Sequence, residues 1–206
     1  MKRSLSLCLF LVCVLTAAVF AGSNPDAKVA IHVRAHSAKA GCTLTPTISS
    51  CSDIVTTLAS DNVDAFIVFY DLTSYTGCSY SLRWPAAWGS AALTSCSDLD
   101  IGTITLPDST QYKAHTWTSC QVKSICVAGF LWIYSNGPGY IRAIEPANND
   151  LGLQMLDCGN PKLLDWVHKS CRAGLSGATG DTNCDCPDIP EATVPTRWGE
   201  IKSLFE

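Results

Sequence analysis

Ten cysteines spread from position 42 to position 186 restrict the folds open to this chain more than any other feature. The full sequence holds twelve, but Cys8 and Cys13 fall in an apolar leader. The ten that follow it are Cys42, Cys51, Cys78, Cys96, Cys120, Cys126, Cys158, Cys171, Cys184 and Cys186. An even set distributed along an exported chain reads as five disulfides. Zinc and haem attachment fail on spacing, since no C-x-x-C pair occurs, and no metal or other cofactor is expected. Local closure pairs Cys42 with Cys51, Cys78 with Cys96, and Cys158 with Cys171. Cys184 and Cys186 share a face of an extended segment, so they are expected to reach Cys120 and Cys126. Each bridge should contribute about 2–4 kcal/mol by restricting the unfolded chain.

Export is read from the N-terminus. "MKRSLSLCLFLVCVLTAAVFAGS" has a basic start at Lys2 and Arg3, an apolar run, and a small-residue cleavage pattern ending at Ala21. The apolar run falls short of the ~20 residues a membrane span needs. Residues 1–21 therefore read as a signal peptide, with no membrane attachment after its removal. Losing Lys2 and Arg3 takes the cations from 14 to 12 against 18 carboxylates, a net charge of −6. An acidic chain without a basic run is a poor ligand for nucleic acid or anionic lipid.

The body, residues 22–186, reads as an all-β antiparallel sandwich, immunoglobulin-like or jelly-roll-like, stabilised by disulfides. "AKVAIHVRAHS" alternates, with Val29, Ile31 and Val33 on one face and His32, Arg34 and His36 on the other. "DAFIVFYDL" is apolar on both faces and short, as a central strand should be. "CSYSLRW", "GTITL", "QYKAHTWTSC", "ICVAGFLWIY", "YIRAIE" and "LGLQML" are further strands, separated by turn signals such as "PDST" and "SNGPG". This rhythm favours a sandwich. A disulfide-closed excursion, "GCTLTPTISSCSDIVTTLAS", carries a short helix capped by Ser52 or Asp53 in its later part. Leu163, Leu164 and Val167, after Pro161, predict one short helix ending near Gly174.

Candidate chemistry is sparse. His32 and His36 lie about 13 Å apart along a strand at ~3.3 Å per residue, too far to share a metal. They read as exposed strand histidines. Asp181, Asn183 and Asp185 have the alternate spacing of a calcium loop. However, Cys186 stands where that loop needs glycine and Ala192 where it needs glutamate. Ser176 is followed by Gly177, so G-x-S-x-G is unmet. His115 and His168 have no base–orienter arrangement nearby in sequence, and no catalytic residue is assigned. Trp84, Trp88, Trp117 and Trp132 could form an aromatic platform for glycans, with Trp84 and Trp88 singled out by their loop around Pro85; core filling is the alternative.

The C-terminus, residues 187–206, is distinct. "PDIPEATVP" holds three prolines in nine residues, a stiff spacer that could span about 25–30 Å. Beyond it, Trp198, Ile201, Leu204 and Phe205 fall within an arc of about 120° on a helix at ~100° per residue. So short a helix does not hold alone in water and must dock. It docks either on its own domain or on another molecule; in the second case the expected partner is another protein subunit or the machinery of export or surface attachment, the arrangement of helix-in-groove recognition.

"WGEIKSLF" resembles a short C-terminal ending shared by exported proteins of poorly characterised bacteria. "VFYDLTSYTGCSYSLRWPAAWGSAA" is similar to a stretch in uncharacterised secreted proteins of the same kind. The resemblance implies a bacterial extracellular protein with a tail read by other components. It carries no activity and transfers no functional residue. The sequence thus predicts an exported structural or interaction protein, not an enzyme, engaged through its tail. A carbohydrate-binding module near Trp84 and Trp88 and a hydrolase with a dispersed site are the alternatives.

Overall fold

The computed structural model describes residues 22–44, 47–147, 152–182 and 186–187. Residues 1–21, read above as a signal peptide, Cys184, and the tail positions Trp198, Ile201, Leu204 and Phe205 lie outside them. Fourteen strands are described: β1 (Lys28–Ala35), β2 (Thr57–Leu58), β3 (Asn62–Tyr70), β4 (Tyr75–Arg83), β5 (Gly89–Ser90), β6 (Thr94–Ser95) and β7 (Leu99–Gly102). They continue as β8 (Lys113–Gln121), β9 (Ile125–Tyr134), β10 (Gly139–Ile144), β11 (Gln154–Leu156), β12 (Leu164–Trp166), β13 (Lys169–Cys171) and β14 (Ala173–Leu175).

They form two sheets. The first runs β13-β1-β3-β9-β5, with β6 also paired to β9. The second runs β12-β11-β4-β10-β14-β2, with β8 on β4 and β7 on β8. Pairing is antiparallel except for β1 with β13 and β14 with β2, which are parallel. The chain is an all-β sandwich.

The inward faces follow from the sequence's own alternation. Val29, Ile31 and Val33 of β1, Val63, Ala65, Ile67 and Phe69 of β3, and Leu131 and Ile133 of β9 are buried. They belong to one cluster with Tyr80, Leu82, Ile141, Ala143 and Leu175 of the other sheet. Burying each large side chain of this kind stabilises by about 1.5–3 kcal/mol. The run "DAFIVFYDL" is central, as expected: β3 is flanked by β1 and β9, and its other face is covered too.

That second face carries a separate apolar cluster. Phe66, Val68 and Tyr70 of β3 and Ala30 of β1 pack with Leu44, Ile48 and Ile54 of the excursion between β1 and β2 and with Cys171 and Cys186. A 3-10 turn at Cys51–Asp53, preceded by Ser50, is the helical element there. Asp53 holds it by accepting Ser49 N–H at 2.9 Å and Ser50 N–H at 3.0 Å. These bonds, led by the one from the Ser49 hydroxyl, keep its carboxyl below the usual range.

The helix expected after Pro161 is not formed. Residues 164–168 alternate instead: Asp165 and Val167 are buried while Leu164, Trp166 and His168 are exposed. The spacing of Leu163, Leu164 and Val167 suits a helix, but β12 turns the polar Asp165 inward, where Asn24 receives it. Tertiary pairing with β11 decides the period.

Candidate functional site

Trp84 and Trp88 do not form a platform. They are 4 % and 6 % exposed and belong to the inter-sheet core. Trp88 N–H bonds Pro85 O at 3.0 Å, closing a turn that folds both indoles inward. Gly139 of β10 lies against that turn. A Cβ there would come 2.6 Å from Trp88 Cζ2 and 2.7 Å from Pro85 Cγ. Indoles bury large apolar area, so core filling prevails over display. Trp117 is partly buried, edge-on to Tyr75 at 5.0 Å. Trp132, at 37 % exposure, faces outward from β9.

The disulfides differ from the local pairing expected. Cys42 bonds Cys96, Cys120 bonds Cys158, and Cys171 bonds Cys186. Cys51 is also disulfide-bonded. Cys78 on β4 and Cys126 on β9 are buried free thiols facing each other across the inter-sheet core. Burial, and then the adjoining Cys126 thiol, pushes Cys78 well above the ordinary thiol range, which disfavours its thiolate.

The last described residues, Cys186 and Pro187, are fastened to the body. Cys186 is buried and bonded to Cys171 at the end of β13. Its sulfur accepts the Tyr70 hydroxyl at 2.7 Å. Pro187 O accepts Ser170 N–H at 3.3 Å. Burial, then the Asp71 charge, raises Tyr70 to about 12, so it stays a donor. On the same outer face, a groove of about 630 Å³ lies between Cys42–Ser49 and Val122–Val127, lined by Leu44, Ile48, Val122, Ile125 and Val127 among others.

At the other end of that face lies a polar–aromatic row that the sequence did not reveal. Arg34, Asp64 and Trp132 sit side by side across β1, β3 and β9. Asp64 is fully buried, binding His36 Nδ1 at 2.7 Å and accepting Ser37 N–H at 3.1 Å, with Arg34 Nε at 3.6 Å. Trp132 donates its indole N–H to Asn62, and its ring is 5.4 Å from His36. The Arg34 guanidinium lies 4.7 Å over Phe66. His32 is not the exposed strand histidine expected. It is buried, its Nδ1 accepts Val55 N–H at 3.0 Å, and burial followed by the Arg34 charge lowers it to about 4. His36, just past the end of β1, is exposed as expected.

A second histidine network lies deeper. His115 Nε2 meets the Tyr80 hydroxyl at 2.9 Å and its Nδ1 meets Ser95 and Ser97 at 2.9 and 3.0 Å. Burial, then Lys113, lowers His115 to about 4. Its Ser95 contact is the serine–histidine pair a hydrolase would need. However, the other ring nitrogen faces a phenol rather than a carboxylate, and the Tyr80 hydroxyl stands in the core. Of the acidic loop, Asp181 accepts Arg172 N–H at 2.8 Å and pairs with its guanidinium, so its oxygens serve a turn. Among the described residues no three His, Cys, Asp or Glu side chains gather as a metal site.

No family model and no curated protein matches the chain. A solved type II cohesin domain from the cellulosome of Acetivibrio cellulolyticus is similar at 12 % identity and a TM-score of 0.41, over 74 % of this chain and 96 % of that one. The likeness is too weak to inform function.

Proposed function

We propose that this chain is an exported interaction protein, a subunit of an extracellular or surface assembly, whose sandwich is a rigid anchor for a C-terminal segment that engages another protein. The observation that carries this reading is the covalent fastening at Cys186. Whatever binds the residues beyond Pro187 pulls on a disulfide rooted in β13, which pairs with β1, which pairs with the central β3. A segment that merely completed its own fold would not need such a root one residue before the spacer. The amphipathic spacing of Trp198, Ile201, Leu204 and Phe205 supplies the apolar face a partner groove would take.

The test is capture of partner proteins from the producing cell's envelope by the exported chain and by its Trp198→Ala, Leu204→Ala double variant. The variant should keep the wild-type melting temperature and lose the co-purifying species. Equal capture by both chains, or a lowered melting temperature in the variant, would place that face inside the chain's own fold and end the reading.

A further inference from the structure

The first described residues of the body end against two buried carboxylates. Asp157 and Asp165 are 3 % and 5 % exposed, and among the described residues no Lys, Arg or His nitrogen comes within 4.0 Å of either. Their company is the N-terminal backbone. Ser23 N–H donates to Asp157 Oδ2 at 3.2 Å, and Asn24 N–H donates to Asp165 Oδ2 at 2.8 Å. Asn24 is itself pinned, accepting Thr73 N–H at 2.9 Å and donating to Ser74 O at 2.9 Å.

The two acids are not equally satisfied. The second oxygen of Asp157 accepts Gly159 N–H at 2.9 Å and Leu163 N–H at 2.8 Å. Oδ1 of Asp165 accepts no hydrogen bond from a described residue, and the whole carboxylate faces Gly22. A Cβ on Gly22 would fall nearest to Oδ2, the oxygen Asn24 already bonds, 2.6 Å from Oδ1 and 2.7 Å from the carboxyl carbon. With bonds of ~1.5 Å, the Gly22 Cα is therefore within about 4 Å of both oxygens. Only glycine fits there, and its nitrogen is one bond further on.

We propose that cleavage between Ala21 and Gly22 creates an α-ammonium that pairs with the buried Asp165, so that removal of the leader closes a partly buried ion pair the precursor lacks. The step is hydrolysis by a leader-removing peptidase. Water adds across the peptide bond, its oxygen going to the Ala21 carboxylate and its hydrogen to the Gly22 nitrogen, which protonates. A neutral amide becomes a cation beside a carboxylate whose charge is otherwise unmatched. An unpaired buried charge is strongly destabilising, and a charge-assisted hydrogen bond relieves it. The precursor is then held looser than the processed protein.

The inference rests on the export reading and not on the tail. N-terminal sequencing of the exported chain should begin at Gly22. Full-length mature protein should then be compared in thermal unfolding with the same chain retaining Ala21, each with and without Asp165→Asn. Retaining Ala21 should lower Tm by about 4 °C or more, and in the Asp165→Asn background it should make no difference. A different N-terminus overturns the cleavage, and with it the proposal. An unchanged Tm on retaining Ala21, or the same drop in both backgrounds, overturns the ion pair alone. If Asp165→Asn does not fold, the Gly22 chain with its α-amino group acetylated takes its place, and an unchanged Tm on acetylation overturns the ion pair. Removing residues 188–206 touches none of these readouts.

Discussion

The two apolar clusters of this protein are held in different ways. Between the sheets, packing suffices: Trp84, Trp88, Tyr80 and Phe69 fill the space, and Cys78 and Cys126 sit there as thiols. On the outer face of the first sheet, one layer of loop covers Phe66, Val68 and Tyr70, and that layer is crosslinked. Cys42–Cys96 ties down the excursion and Cys171–Cys186 ties down the start of the tail. A loop with one covered side cannot bury enough to offset its ordering entropy, so covalent closure does part of the work.

The largest expected effect separates the clusters from the inside. Trp88→Ala should cost about 3–5 kcal/mol by leaving a cavity, measured by denaturant unfolding, and should leave glycan binding on an array unchanged at whatever level the wild type shows. A selective loss of glycan signal without loss of stability would restore the platform. Next, replacing Cys42 and Cys96 by serine should cost about 4 kcal/mol, and replacing Cys171 and Cys186 about 3 kcal/mol, from the sequence separations of 54 and 15. In hydrogen exchange the lost protection should be confined to the outer layer, Ile48 to Ile54, with β4 and β10 unaffected. Equal loss in β4 would make the two clusters one cooperative unit.

Acid should loosen the outer layer through His32. Its folded value of about 4 lies below the ordinary 6.5, so between those values the unfolded chain binds the extra proton. Stability is therefore complete above pH 6.5 and declines as pH falls toward 4. His115, also about 4, adds to the same limb from the core. The specific mark of His32 is early exchange of the Val55 amide, which its Nδ1 accepts. His32→Gln should flatten part of the acid limb, and an unchanged limb would contradict the assignment. The smallest effect is a null: Cys78 and Cys126 should not react with a thiol reagent in the native protein and should contribute two thiols after denaturation. No thiol from either residue would mean that the inner cluster is crosslinked too.

Strand placement was legible because alternation is local. β1 and β9 coincide with the runs "AKVAIHVRAHS" and "ICVAGFLWIY", and β3 with the doubly apolar "DAFIVFYDL". What failed was long-range. Cys42 reaches Cys96 rather than Cys51 because register, not proximity in sequence, sets the partner. The helix after Pro161 was misread because three apolar residues fit either period and only Asn24, far away in sequence, gives Asp165 a reason to turn inward. The Arg34–Asp64–Trp132 row exists only once β1, β3 and β9 are paired, so no spacing in the sequence announces it. Trp84 and Trp88 flank a proline turn whose direction is fixed by Gly139.

The anchored-tail account meets its most direct test in the retention of the exported protein by the producing cell. The full chain and a chain ending at Pro187 should be equally stable and equally exported. The full chain should stay with the surface or assembly fraction, and the shortened one should pass into the medium. Equal retention of both chains would contradict the account.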